Sequence, residues 1–127
     1  MVEPLREAAA CEGFRFLSRL VTEWESGSNR FDAPGEGFWG ALVEGRVVAC
    51  GGLNSFGTVG RLRRFYVLPQ DRRCGVGTAM ATHVITCARS AFQRLVLRTD
   101  NPAADAFYVK LGFLRVDEPG VTHAMEL

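Results

Sequence analysis

The apolar residues of this chain change period several times, and each change predicts an element. From Cys11 to Ser26, Phe14, Leu17, Leu20, Val21 and Trp24 recur every three or four residues, which predicts an amphipathic helix. SGSNRFDAPGEG (26–37) has no period and reads as a loop. FWGALV and RVVACGGL, joined through EGR, predict a β-hairpin, and NSFGTVG a second turn. RLRRFYVL (61–68) predicts a strand stopped by Pro69, which has no N–H for a ladder. Val76 to Ser90 predicts a helix with Val76, Met80, Val84 and Cys87 as its apolar stripe. RLVLRT follows as a strand. Asp100 or Asn101 can cap the next helix, Pro102 suits its first turn, and Gly112 fits its end. That helix should turn Ala103, Ala106, Phe107 and Leu111 inward. FLRV and VTHAMEL read as two closing strands. At the other end, VEPLREA reads as a short first strand weakened by Pro4.

The predicted order is β, α, three β, α, β, α, β, β. Strands mixed with helices in this order predict an α/β (α+β) fold, a mixed central sheet with helices packed on it. No repeat or long linker divides the chain, so 1–127 is expected to be a single domain.

Composition narrows the partners. Hydrophobic residues make up 47% and charged residues 23%, an ordinary globular mix. The formal net charge of +1 disfavours electrostatic nucleic-acid binding. No apolar run approaches the ~20 residues of a membrane span, and the acid-bearing N-terminus lacks the apolar core of a signal peptide. No membrane or nucleic-acid partner is therefore expected. Cys11, Cys50, Cys74 and Cys87 form no CxxC pair, and only two histidines accompany them, so no metal site is expected. Free thiols fit a reducing compartment, and the expected location is cytoplasmic.

Charge is nonetheless concentrated: Arg61, Arg63, Arg64, Arg72 and Arg73 fall within thirteen positions. The last two open DRRCGVGTAM, a strand–arginine–glycine–helix succession. A helix N-terminus leaves N–H groups unpaired and carries partial positive charge. Glycine lets a ligand approach that backbone, and arginine matches phosphate oxygens. The pattern suits a phosphate or pyrophosphate, although GxG alone reads equally well as a plain turn. Met80 stands where a dinucleotide fingerprint needs its third glycine, and no Gly-Lys-Ser/Thr follows.

VLPQDRRCGVGTAM and DNPAADAFYVKLGF together resemble the two signature motifs of the GNAT acyltransferase superfamily. The first is Arg/Gln-x-x-Gly-x-Gly/Ala after Val-x-Pro, here Arg72 to Gly77 after Val67 and Pro69. The second is Asn, small residues, then Phe-Tyr-x-x-x-Gly-Phe, here Asn101, Ala104, Phe107, Tyr108, Gly112 and Phe113. The resemblance implies the GNAT fold, a sheet splayed after its fourth strand, and acetyl-CoA as cosubstrate. It implies that the pantetheine arm lies along Phe65, Tyr66 and Val67, and the pyrophosphate on the backbone around Arg72, Arg73, Cys74, Gly75, Val76, Gly77 and Thr78. Asn101 and Phe107 would adjoin the arm. Tyr108 would protonate the leaving thiolate, since a tyrosine stays protonated at neutral pH. A strand N–H at Val67 would hold the oxyanion.

The general base is left open. Many family members carry a glutamate near the start of the fourth strand, where this chain has Arg61. Glu23, Glu25, Asp32, Glu36 and His123 are alternatives, each also readable as a surface group. His83 reads as packed or exposed, and Cys74 as a filler of the loop. The acceptor should be a primary amine, bound by the first helical region, the 26–37 loop and the last hairpin. Phe14, Phe16, Trp24, Phe31, Phe38 and Trp39 could line an aromatic pocket or simply pack. The arginine strand suggests a carboxylate or phosphate on the acceptor. A period of two would put Arg61 and Arg63 on one face and Arg64 on the other. A small-molecule acceptor, a peptide acceptor, and a CoA-binding sensor without catalysis all fit. The family's habit of pairing sheet edges leaves a homodimer open.

Overall fold

The computed structural model of the chain describes residues 2–127, with the backbone alone at Phe16. Its first element corrects the sequence expectation. VEPLREA is a helix, α1 (Glu3–Cys11), with Pro4 in its first turn. A proline there loses no helical hydrogen bond and has its φ already set, so the residue that weakened a strand starts a helix. Leu5 and Ala9, one turn apart, are fully buried. Gly13, at φ 87, then breaks the chain, so the next helix, α2 (Phe16–Ser26), begins later than its apolar spacing predicted. Gly27 ends α2 in the left-handed conformation, φ 80.

Six strands follow: β1 (Gly37–Val43), β2 (Arg46–Phe56), β3 (Val59–Val67), β4 (Arg94–Leu97), β5 (Leu114–Glu118) and β6 (Val121–Glu126). They form one mixed sheet in the order β1-β2-β3-β4-β6-β5. The β3–β4 pair is parallel and the others antiparallel. The parallel crossover runs through α3 (Val76–Arg89), and α4 (Pro102–Leu111) links β4 to β5. Glu44 and Gly45, at φ 51 and 78, make the primed two-residue turn that matches strand twist. The second expected turn shrinks to Gly57-Thr58, because Asn54 is buried in β2 and held by Asn29 and Glu36.

Each face of the sheet has its own core. One joins α3 and α4 to Ala49, Leu53, Leu62, Val67, Leu95 and Leu97. The other joins α1 and α2 to Phe31, Val48, Cys50, Tyr66 and Leu68. The stripe that α3 buries is Met80, Ala81, Val84, Ile85 and Ala88, rotated from the predicted one. In α4 it is Tyr108 that is buried, while Ala103 and Ala106 face solvent. Among the described residues no helix is long and apolar enough to cross a membrane.

Two irregularities of β3 prepare the site. It pairs with β4 only at Val59, Gly60 and Arg61. Beyond Arg61 it continues to Val67 with that edge open, so the sheet splays at its third strand. Second, the register with β2 slips: Tyr66 faces Cys50 and Arg63 faces Gly52, leaving Arg64 and Phe65 opposite Gly51. This is a β-bulge, with Arg64 at φ 56. It corrects the expected alternation. Arg63 and Arg64 both reach the α2 side, where Arg64 Nη2 lies 2.6 Å from Glu23 Oε1.

Candidate active site

The open edge of β3 presents backbone donors. Leu68 N–H donates to Val48 O at 2.8 Å. By antiparallel alternation Tyr66 also directs its backbone to β2, and Val67 directs its own to the open edge. Val67 O there accepts from Arg72 Nε at 3.0 Å.

The chain then makes one 3-10 turn (Pro69–Asp71) and enters α3 through Arg73 and Gly75, both left-handed at φ 63 and 84. No side chain caps α3, and its first bond is Ala79 N–H to Gly75 O, 3.0 Å. The N–H groups of Val76, Gly77 and Thr78 therefore point out of the helix start. A Cβ built on Gly75 would meet nothing within 4 Å, so the approach to the helix start at Gly75 is open. Uncapped amides, the helix dipole and open space fit a pyrophosphate.

At the same place β3, α3 and α4 converge. A Cβ on Gly77 would lie 3.5 Å from both Val67 and Phe107. Phe65 packs on Phe107 at 5.8 Å and on Tyr108 at 6.1 Å between ring centroids. Asn101 Oδ1 caps α4, accepting from Ala103 N (2.9 Å) and Ala104 N (3.4 Å). Tyr108 is 6% exposed, and its hydroxyl makes no hydrogen bond among the described residues. Burial pushes its pKa up, which keeps the phenol protonated at neutral pH.

Arg72 and Tyr66 are joined by a residue that sequence reasoning missed. Glu12, just past α1, accepts from Arg72 Nη1 (2.9 Å) and Nη2 (2.6 Å), and from the Tyr66 hydroxyl. Arg72 also lies over the Tyr66 ring, 5.3 Å from its centroid. The Arg72 guanidinium, then the Tyr66 hydroxyl, hold the Glu12 carboxyl below its usual range. Burial, then Glu12, pushes Tyr66 up. Arg72 thus braces the loop against α1 and β3 with three donors. Nothing in the sequence signals a partner sixty residues away.

The proposed bases separate clearly. Glu36 accepts from Ala33 N, Asn54 Nδ2 and Ser55 N, and so anchors the 26–37 loop to β2. Asp32 and Glu25 are exposed. His123 is 2% exposed, held by Thr122 Oγ1 at Nδ1 (2.7 Å) and Asp105 Oδ1 at Nε2 (2.6 Å), its ring 6.0 Å from Tyr108. Arg115, then His123, hold the Asp105 carboxyl down at about 2. His83 is exposed beside Trp39, and Cys74 is exposed in the loop. Arg61 spends a guanidinium nitrogen on Gly120 O, 2.5 Å away.

The described residues also line two cavities. One of about 410 Å³ lies at the end of β4, lined by Asn101, Asp105, Thr122 and His123 among others. The larger, about 970 Å³, lies between α1, α2 and β3 and includes Phe14, Arg15, Arg19, Glu23, Arg63 and Arg64 in its wall. Of the six aromatics expected on the acceptor side, only Phe14 is among its described lining. Phe31 is buried, Phe38 packs against it at 5.3 Å, Trp24 against Phe38 at 6.4 Å, and Trp39 lies on the α3 face; the Phe16 side chain is outside the described part. No group of three or more His, Cys, Asp or Glu is arranged for a metal among the described residues.

The family described as "Acetyltransferase (GNAT) family" matches residues 3–113. A candidate acetyltransferase of Exiguobacterium sp. 255-15 is 34% identical, with TM-score 0.89 over 99% of this chain and 85% of that one. Rv2747 of Mycobacterium tuberculosis, solved with CoA, is 27% identical, with TM-score 0.60 over 77% of this chain and 55% of that one. An N-acetyltransferase of Thermoplasma acidophilum, solved with coenzyme A, shares the fold at 18% identity and TM-score 0.68, over 98% and 79%. No curated protein matches the chain.

Proposed function

The chain belongs to the GNAT acetyltransferase family, and on that premise we propose that it moves an acetyl group from acetyl-CoA to the primary amine of a small-molecule acceptor. One observation carries the reading. The open edge of β3, the uncapped start of α3 and the buried phenol of Tyr108 meet in a single wedge.

Acetyl-CoA supplies an activated acetyl thioester. The N–H groups of Val76, Gly77 and Thr78, with the loop Arg72–Gly75, hold its pyrophosphate. Val67 offers its N–H to the carbonyl oxygen, where negative charge develops as the amine attacks. Tyr108 gives its proton to the departing sulfur; its raised pKa keeps that proton available. Phe65 and Phe107 wall the wedge and keep water from the thioester. Attack occurs directly from the bound amine, because none of the described thiols is placed as an activated nucleophile: Cys50 is buried with its pKa pushed up to about 12, and Cys74 lies in the phosphate loop. The amine's proton leaves to solvent through the cavity beside α2. The protein works as a cytoplasmic enzyme in this reading, with a dimer not required by any step.

The test is free-thiol release from acetyl-CoA across amines, amino acids, aminoglycosides, polyamines and lysine peptides, with calorimetric CoA binding alongside. Turnover of one class supports the reading. Tight CoA binding without turnover on any would replace it with a sensor.

A further inference from the structure

The wall of the larger cavity is unusually positive for this protein. The whole chain has a formal net charge of +1. Yet Arg15, Arg19, Arg63 and Arg64 line one cavity of about 970 Å³, with Glu23 as the only carboxylate among its described lining residues. Glu23 is already engaged by Arg64 at 2.6 Å. Arg15, Arg19 and Arg63 are left to whatever enters.

We propose that this cavity binds the acceptor by an oxyanion the acceptor itself carries, so that the substrate is a carboxylated or phosphorylated amine. This rests on the transferase reading above and assigns its substrate class.

Three observations support it. The Arg64 side chain is only 9% exposed, and its Nε is buried without a hydrogen-bond partner among the described residues. A buried guanidinium with an unsatisfied donor is costly, and an anion bound in the cavity that Arg64 lines offsets that cost through its charge. The bulge sets Arg63 and Arg64 side by side on this face, so two forks converge where a regular strand would offer one. Burial, then the charge of Arg64, weakens the hold of Arg63 on its proton, a sign of positive charge held close together. Reach is adequate too. Arg64 precedes Val67 by three residues, roughly 10 Å along a strand, a span that an arginine side chain and a short amine cover together. The same field disfavours polyamines and aminoglycosides, which arrive as polycations.

The inference is tested with probes that need no turnover. Glutarate and inorganic phosphate are titrated calorimetrically into the full chain, into Arg63→Gln and into Arg19→Gln, at low and high salt. One probe should bind to the wild type, weaken about tenfold in each variant, and weaken again with salt. The probe that binds tells carboxylate from phosphate. Arg19 is exposed on α2, so its variant keeps the test alive should Arg63→Gln unfold. Binding of neither probe, or equal binding to all three proteins, overturns the inference. Thiol release is then compared for amines with and without an anionic group on the same carbon chain. A preference of about 100-fold in kcat/KM for the anionic members is expected; equal use, or preference for cationic amines, overturns it. Probe binding that survives while no amine turns over refutes the transferase reading and leaves the anion site standing.

Discussion

β3 has two neighbourhoods that we propose take anions, and they are built in opposite ways. On the α3 side the donors are backbone N–H groups at an uncapped helix start, presented by a run of seven residues from Arg72 to Thr78. On the α2 side the donors are guanidinium groups from α2, its preceding turn and a bulged strand, brought together across some fifty residues of chain. The first site has no side chain to remove, so it fails when one is added. The second has no backbone donors described, so it fails when a charge is deleted. Arg72 shows the difference within one residue. It sits in the motif proposed to take the pyrophosphate, but three of its donors go to Glu12 and Val67, so its side chain shapes the loop.

Four changes would break or sharpen that contrast. The largest effect is expected from Gly77→Glu, which places a carboxylate among the α3 amides and against Phe107 and Val67. CoA affinity measured by calorimetry should fall about 100-fold or more, ~2.7 kcal/mol, with the circular dichroism of a folded protein. Unchanged affinity would move the pyrophosphate elsewhere. Next, Tyr108→Phe should lower kcat about 10- to 100-fold with CoA affinity kept. Turnover equal to wild type would remove the phenol from the chemistry.

The third change separates charge from backbone at the bulge. Arg64→Gly suits φ 56 but leaves Glu23 without its partner, so a loss of stability of roughly 1–3 kcal/mol is expected. Its affinity for the anionic probe should drop about tenfold. Arg64→Val, a β-branched residue at the same φ, should cost a further 1–3 kcal/mol, roughly. Equal stability of the two variants would mean the bulge is not strained. The smallest effect belongs to Asp105→Asn. The folded pKa of Asp105, about 2, lies below its ordinary 3.8. The carboxylate therefore stabilises the fold above about pH 4, and that contribution is lost as pH falls toward 2. The wild type should lose melting temperature over this window more steeply than Asp105→Asn; parallel curves would show that the Arg115 and His123 contacts add nothing.

Legibility in the sequence followed the length scale of the interaction. The β1–β2 turn, the stops at Pro69 and Gly112, the Asn101 cap and the glycine-led start of α3 were all readable, because each depends on the φ preference or the hydrogen-bonding side chain of one or two neighbours. The family motifs were readable for the same reason, being contiguous. The N-terminal helix was misread because Pro4 is compatible with a strand edge and with a helix's first turn, and only the burial of Leu5 and Ala9 under the sheet decides between them. The α4 face was read in part: Phe107 and Leu111 pack on the core as expected, but Ala103 and Ala106 face solvent because small alanines carry little periodic signal, while Tyr108 has a packing partner in Phe113 that no spacing reveals.

By itself the sequence determined the mixed α/β class, the glycine-bearing helix start and the tyrosine of the second motif, since local backbone preferences and short motifs need no distant partner. The tertiary structure alone decided that the sheet opens beyond Arg61, that Glu12 braces Arg72, and that three arginines of β3 do not alternate faces. Strand register is a relation between chains of residues far apart in sequence. One extra residue opposite Gly51 is enough to turn Arg64 from one face of the sheet to the other, and with it the charge of the cavity.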